Sequence, residues 1–165
     1  MSSFIIKTKT LTDINTAIDI YKKKIQERLK KSEELLESIQ NDEVFQEFFP
    51  EEEIKKEVEE LKKELENIPT IQELHQLNVD VCNKKYGENV KYLPKIPAGY
   101  QYNLMQIHIS IRCYIYQINE GIFPEREQKA IEFLEKLKDF VAEKYIEQQI
   151  NRVKSIDENA FYWGS

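Results

Sequence analysis

Apolar residues recur at intervals of three and four along most of the chain, which is the spacing of one face of an α-helix. The first such stripe follows Thr10 and Asp13, which have the spacing of a helix-capping box with aspartate in place of the usual glutamate. Its positions, with one serine as a weak layer, are Ile14, Ile18, Tyr21, Ile25, Leu29, Ser32, Leu36 and Ile39. The pattern predicts a long first helix.

A second stripe begins after Pro50, which suits the first turn of a helix. Its spacing is a strict 4-3-4-3 seam of five apolar residues: Ile54, Val58, Leu61, Leu65 and Ile68. Five positions are few for a free-standing coiled coil. We therefore predict that residues 11–68 form an antiparallel, coiled-coil-like helical hairpin.

Capping residues divide the remainder of the chain. Pro69 ends the second helix, and Thr70 with Glu73 has capping-box spacing, so residues 70–87 are predicted to be a helix that closes at Gly87. We expect a proline-containing loop at 88–99, a helical C-terminal part at 100–153 and an aromatic tail at 157–165. In the last helix, which opens at Pro124, the apolar stripe runs past Val141 to Ile150 and Val153, and we expect all of it to face the core.

Residues 100–118 fit two patterns. Alternate residues from Met105 to Ile115 are apolar, as in a strand, but Leu104, Ile107 and Ile111 also have helical spacing. The stretch is longer than the usual strand of about five or six residues, and no second strong strand is present to pair with it. We prefer a buried helix, and the alternative is a minor β element at residues 3–9 or 105–115. The overall prediction is a single all-α domain spanning residues 1–165.

Composition narrows the classes of protein. Four glycines and five prolines in 165 residues disfavour a β-sandwich with its frequent tight turns. The net charge of −6 argues against direct binding to nucleic acid or anionic membranes. No apolar run is long enough to span a membrane, and the polar start does not resemble a signal peptide, so we expect a cytoplasmic protein. Cys82 and Cys113 fit no metal or redox spacing, and we expect free thiols.

Motifs for catalysis are missing from the sequence. It contains no glycine-rich phosphate loop, HExxH, paired CxxC or GxSxG, and we predict no catalytic residue, metal or cofactor. His108 and Arg112 would lie side by side on a helix and could bind an acidic group in a cleft with nearby tyrosines. An enzyme built on this pair is the weakest hypothesis, because such pairs more often form a polar rim around a core.

Charge is distributed unevenly along the first half of the chain. Residues 22–31 hold six basic side chains against Glu27 alone, whereas residues 33–53 hold nine acidic side chains and no basic one. Four apolar side chains, Val44, Phe45, Phe48 and Phe49, fall inside the acidic stretch. The pattern indicates either solvated helix surface or a surface for a basic partner.

The candidate partner-binding residues combine this acidic stretch with two other aromatic groups. They are Phe45, Phe48, Phe49, Glu51, Glu52, Glu53, Tyr100, Tyr102 and Trp163. The two tyrosines belong to a tyrosine-rich region. Its side chains could form a binding surface, or they could line the rim of the hydrophobic core. Trp163 belongs to the aromatic tail, which we expect to dock on its own domain, with burial against another chain as the alternative.

The hypothesis for function is a non-enzymatic helical protein–protein interaction module whose partner has a basic surface, with self-association as a further expectation. The alternative is a small acidic inhibitor of a nucleic-acid-handling protein, of the kind that phages and mobile elements encode. It would act as a nucleic-acid mimic, with carboxylates in place of phosphates.

Overall fold

The computed structural model describes residues 8–87 and 103–163, with side chains described for 9–87 and 103–156. These residues form six α-helices: α1 (Thr8–Asn41), α2 (Glu43–Phe48), α3 (Glu51–Glu66), α4 (Ile71–Tyr86), α5 (Leu104–Ile118) and α6 (Pro124–Trp163). Helices account for most of the described residues, which contain no strand, so the all-α prediction is confirmed. The strand alternative for 105–115 is wrong, because that segment lies inside α5. For the other alternative, residues 3–7 lie outside the described range and the next two residues belong to α1.

By its internal contacts the chain divides into two compact units. The first consists of Met1–Ala17 with Thr70–Ser165, and the second of Ile18–Pro69. The single domain expected for residues 1–165 stays a prediction. The predicted loop at 88–99 lies outside the described residues.

The second unit is an antiparallel hairpin of α1 and α3. Three side-chain pairs join the helices: Tyr21 with Glu64, Glu33 with Lys62, and Gln40 with Glu51. The residue numbers on α3 fall as those on α1 rise, so the helices run in opposite directions, as predicted. Val58 and Leu61 form the buried centre of the predicted seam, and its other three positions are half-buried.

The core of the first unit lies among α4, α5 and α6. α5 packs along α6, and α4 contacts both. The largest fully buried side chains include Tyr114, Leu74, Ile107, Ile111, Ile118, Leu134, Leu137 and Val141. The hydroxyl of Tyr114 donates a hydrogen bond to the carbonyl oxygen of Leu74, and burial raises the pKa of the phenol. This polar contact joins α5 to α4 inside the core.

The start of α1 differs from the prediction. The helix already begins at Thr8, so Thr10 and Asp13 lie within it and do not form a capping box. The carboxylate of Asp13 is buried, and it accepts hydrogen bonds from the hydroxyl of Ser110 at 2.7 Å and the ammonium group of Lys9 at 3.0 Å. Because one oxygen of this carboxylate is held by α5 and by the preceding turn of α1, the side chain does not cap the helix, which begins before it.

The two ends of α4 have the capping residues that the sequence predicts. Thr70 caps α4 by accepting from the backbone N–H of Glu73 at 3.1 Å, and Gly87 ends α4 with φ of +69°, both as predicted. The C-terminal cap of α5 is Asn119. Gly121, at φ +74°, lies in the following turn.

The turn between α5 and α6 is organised by a buried carboxylate. Glu127 accepts hydrogen bonds from the backbone N–H groups of Glu120, Gly121 and Phe123 at 2.5 to 2.8 Å. Burial favours the neutral acid, but the three backbone donors outweigh it and lower the pKa of Glu127. One side chain thus joins the end of α5 to the start of α6.

α6 continues as predicted but is covered over only part of its length. Its core positions end at Val141, and no residue from 142 to 156 is buried. Ile150 and Val153, expected in the core, are exposed together with Ile146 and Ile156. Helical spacing correctly placed these side chains on one face, but no other described element covers that face.

Candidate functional site

The acidic aromatic segment that the sequence singled out forms the end of the hairpin. We call residues 42–53, from the residue before α2 to the first turn of α3, the tip. All of them belong to the second unit. The tip contains six of the nine candidate partner-binding residues.

Local hydrogen bonds fix the backbone of the tip. Asp42 caps α2 by accepting from the backbone N–H of Val44 at 2.9 Å, and the backbone N–H of Phe49 donates to the carbonyl of Phe45, also at 2.9 Å. The side-chain amide of Gln46 donates to the carbonyl of Ile39 at 3.0 Å, which ties α2 to the end of α1. A helix of six residues is too short to be stable alone. These contacts therefore supply the order that α2 cannot generate itself.

The apolar side chains of the tip face solvent. α2 contains no buried residue, and Val44, Phe45, Phe48 and Phe49 have exposed fractions between 38% and 74%. Phe48 is the most exposed of the four. Single exposed apolar residues are common on protein surfaces, but a contiguous group of three phenylalanines and a valine is typical of an interaction site.

Acidic groups surround this apolar group. A shallow depression of about 530 Å³ lies beside it, lined by Glu34, Glu37, Ser38, Asn41, Asp42 and Phe45. On the other side, Glu51, Glu52 and Glu53 occupy the first turn of α3, where the positive end of the helix dipole stabilises carboxylates. Phe45 lines the depression and also belongs to the apolar group, so it joins the two.

The three glutamates in the first turn of α3 differ in their exposure and in the contacts that they make. Glu51 is half-buried, accepts a hydrogen bond from the amide of Gln40 at 3.2 Å and pairs with Lys55 at 3.3 Å. The hydrogen bond from Gln40, followed by the interactions with Lys55, lowers the pKa of Glu51. Glu52 and Glu53 are exposed and form no ion pair within the described residues. Glu51 is thus part of the hairpin structure, whereas Glu52 and Glu53 are available to a partner.

The remaining candidate residues are not gathered at the tip. Tyr100 and Tyr102 lie outside the described residues. The backbone of Trp163 ends α6, in the first unit, and its side chain is not among those described. The docking of the aromatic tail therefore stays a prediction.

Three residues that organise the tip were missed from the sequence: Gln40, Asp42 and Gln46. The role of Asp42 could have been predicted, because aspartate immediately before a short acidic and apolar run is a common N-cap. The two glutamines had none, since their partners are a carboxylate eleven residues away and a carbonyl seven residues away.

The pair His108 and Arg112 lies beside a second depression, between α5 and α6. It measures about 640 Å³, and its lining includes Arg112, Lys138 and Glu135. Partial burial, followed by the charges of Arg112 and Lys138, lowers the pKa of His108 and so disfavours its protonated form. Lys138 is hydrogen-bonded to Glu135. The positive charge available to an acidic ligand is therefore smaller than the sequence suggested.

No described residues form a group of three histidine, cysteine, aspartate or glutamate side chains that could hold a metal ion. Cys82 is buried and Cys113 is exposed, and neither forms a disulfide. Over the described ranges, no helix has the combination of length and apolar character that crossing a membrane requires.

Comparison with protein-family models finds no match, and comparisons with curated proteins and with solved structures find no significant similarity. The geometry of the tip is therefore the basis on which a function can be proposed.

Proposed function

We propose that this protein is a non-enzymatic helical interaction module whose tip binds a protein with an apolar pocket surrounded by basic residues. The observation that carries the proposal is the exposure of Val44, Phe45 and Phe48 on a turn whose backbone is already held in place. The surrounding carboxylates specify the charge of the partner.

The energetics favour a small, well-defined contact. Complete burial of an exposed valine or phenylalanine side chain contributes about 1.5–3 kcal/mol, and large aromatic residues often dominate interfaces. A pre-organised turn loses little conformational entropy on binding. Phe48 can therefore act as the anchor, with Val44 and Phe45 beside it.

The acidic groups add selectivity and speed. Charged residues around an apolar contact accelerate encounter with an oppositely charged surface and disfavour acidic partners. Because these carboxylates are exposed, their effect should weaken as salt screens them. The rate of association through the tip should therefore depend strongly on salt concentration. The stability of the final apolar contact should depend on it less.

The inhibitor of a nucleic-acid-handling protein remains the alternative proposal. It is supported by the density of acids at the tip, since nine acidic side chains fall within residues 33–53. A pure phosphate mimic would have no need for an exposed Phe48, so an apolar pocket on the partner fits the structure better. The alternative makes a separate prediction, namely that nucleic acid competes with the tip for the partner.

Quantitative capture of partners from a lysate of the native host tests the proposal. The tip variant Glu52→Lys/Glu53→Lys is compared with Glu59→Lys/Glu60→Lys, which makes the same charge change at exposed positions elsewhere on α3. We expect a protein that the wild type and the control variant capture and that the tip variant loses. Equal capture by all three would contradict the proposal, and release of the partner by added DNA would support the inhibitor.

A further inference from the structure

The last part of α6 carries an uncovered apolar stripe. Ile146, Ile150, Val153 and Ile156 are between 48% and 62% exposed, with helical spacings of four, three and three residues. At 100° per residue these side chains fall within one third of the helix circumference. We call these four residues the α6 stripe. It belongs to the first unit and is separate from the tip.

A bare helix of this kind is unfavourable in water. The fifteen described residues from 142 to 156 include no buried one. Helices of about this length are marginal without packing, and the contact of four neighbouring aliphatic side chains with water is unfavourable as long as they stay exposed. The stripe is therefore a surface that gains stability from a partner.

The charges beside the stripe indicate which partner fits. Glu147 and Lys154 are exposed and seven residues apart, which is about two turns, so they lie on the same flank of the stripe. In an antiparallel pair of α6 helices that cross near Ile150, Glu147 of one copy faces Lys154 of the other. Two-fold symmetry makes this contact twice. In a parallel pair each of these side chains would instead face the opposite flank, where the neighbouring residue is Gln149.

We infer that two copies of this chain associate through the α6 stripe as an antiparallel, two-fold symmetric dimer. The flanks are self-complementary, and the stripe segment is close to neutral within a chain of net charge −6, so two copies approach there without strong repulsion. A dimer also presents two tips, which increases avidity for a partner with two sites. The dimer does not depend on the function proposed for the tip.

The length of the stripe sets the strength of the dimer. Ile146 to Ile156 spans about 15 Å of helix, which is shorter than the coiled coils that are stable alone. The contact is also smaller than the roughly 800 Å² per partner of standard interfaces. The dimer is therefore in equilibrium with monomer, and its population rises with protein concentration.

Sedimentation equilibrium of the full chain over a wide concentration range tests the apolar contact. We expect a monomer–dimer equilibrium for the wild type and a dissociation constant at least tenfold weaker for Ile150→Asp and for Val153→Asp. Asn151→Asp introduces the same side chain at an exposed position on another face of the helix and should leave the equilibrium unchanged. A wild type that is monomeric throughout, or a dimer that Ile150→Asp and Val153→Asp do not weaken, would overturn the inference.

Charge exchange at low salt tests the antiparallel arrangement. Glu147→Lys alone and Lys154→Glu alone each place like charges opposite each other and should weaken self-association. An equimolar mixture of the two variants restores both opposite-charge contacts and should form a heterodimer. A mixture that associates no better than the separate variants would reject the antiparallel pairing.

Discussion

The rings of Phe45 and Phe49 lie with their centroids 6.1 Å apart and their planes inclined by 26°. This pair spans the end of α2, where the backbone N–H of Phe49 also bonds to the carbonyl of Phe45. Phe48, between them in sequence, is left outside the pair. The stacked rings hold the turn, and Phe48 is the phenylalanine available to another molecule.

Replacing Phe48 should separate binding from stability. At 74% exposure, Phe48→Ala should change the free energy of unfolding by less than about 0.5 kcal/mol. The same substitution at the buried Phe140 should cost about 3–5 kcal/mol. Denaturant unfolding followed by circular dichroism measures both. A large loss of stability for Phe48→Ala would show that this ring belongs to the core.

Leu61→Asp tests the hairpin seam. Leu61 is buried on α3, and an aspartate there places an unpaired carboxylate among apolar side chains. We expect a loss of about 3–5 kcal/mol in the free energy of unfolding of the hairpin. Glu60→Asp, at the exposed neighbouring position, is the control and should have little effect. An unchanged melting temperature for Leu61→Asp would mean that the seam is not packed.

Glu127 gives the protein an acid-sensitive joint. Its pKa is lowered from 4.5 in the folded protein, so its contribution to stability is complete above pH 4.5 and is lost as the pH falls through the folded pKa. At neutral pH, Glu127→Gln should destabilise by about 1–3 kcal/mol, because the amide accepts fewer of the three backbone hydrogen bonds.

The comparison of Glu127→Gln with the wild type should therefore change with pH. The difference in free energy of unfolding should shrink as the pH falls below 4.5, since the wild-type carboxyl is then protonated. Glu125→Gln, at an exposed position in the same first turn of α6, is the matched control. A difference that stays constant with pH would show that the backbone donors do not stabilise the ionised form.

Much of the fold could be predicted because it depends on local patterns. The spacing of Val58 and Leu61 identified the seam, and Thr70 and Gly87 identified the two ends of α4. The apolar group and the acids of the tip are close in sequence, so their proximity in space also followed from the sequence. Helical spacing also predicted α5, because no second strong strand was present to pair with this segment.

The features that could not be predicted depend on contacts between distant segments. Asp13 has the sequence pattern of a capping box, but it lies within α1, and Ser110, 97 residues away, donates a hydrogen bond to one oxygen of its carboxylate. Periodicity placed Ile150 and Val153 on one face of α6, yet it does not show whether another element covers that face. Glu127 likewise has no sequence signal, because its partners are backbone groups of the preceding turn.

Site-specific photocrosslinking in the native host tests the central claim, that the tip binds a protein partner, most directly. A benzophenone amino acid replaces Phe48, which keeps an aromatic ring at the tip, and a matched variant carries it at Glu60, an exposed position on α3. We expect position 48 to crosslink to a protein with a basic surface, position 60 not to do so, and Glu52→Lys/Glu53→Lys to reduce the crosslink. No crosslink at position 48, or the same products from both positions, would contradict it.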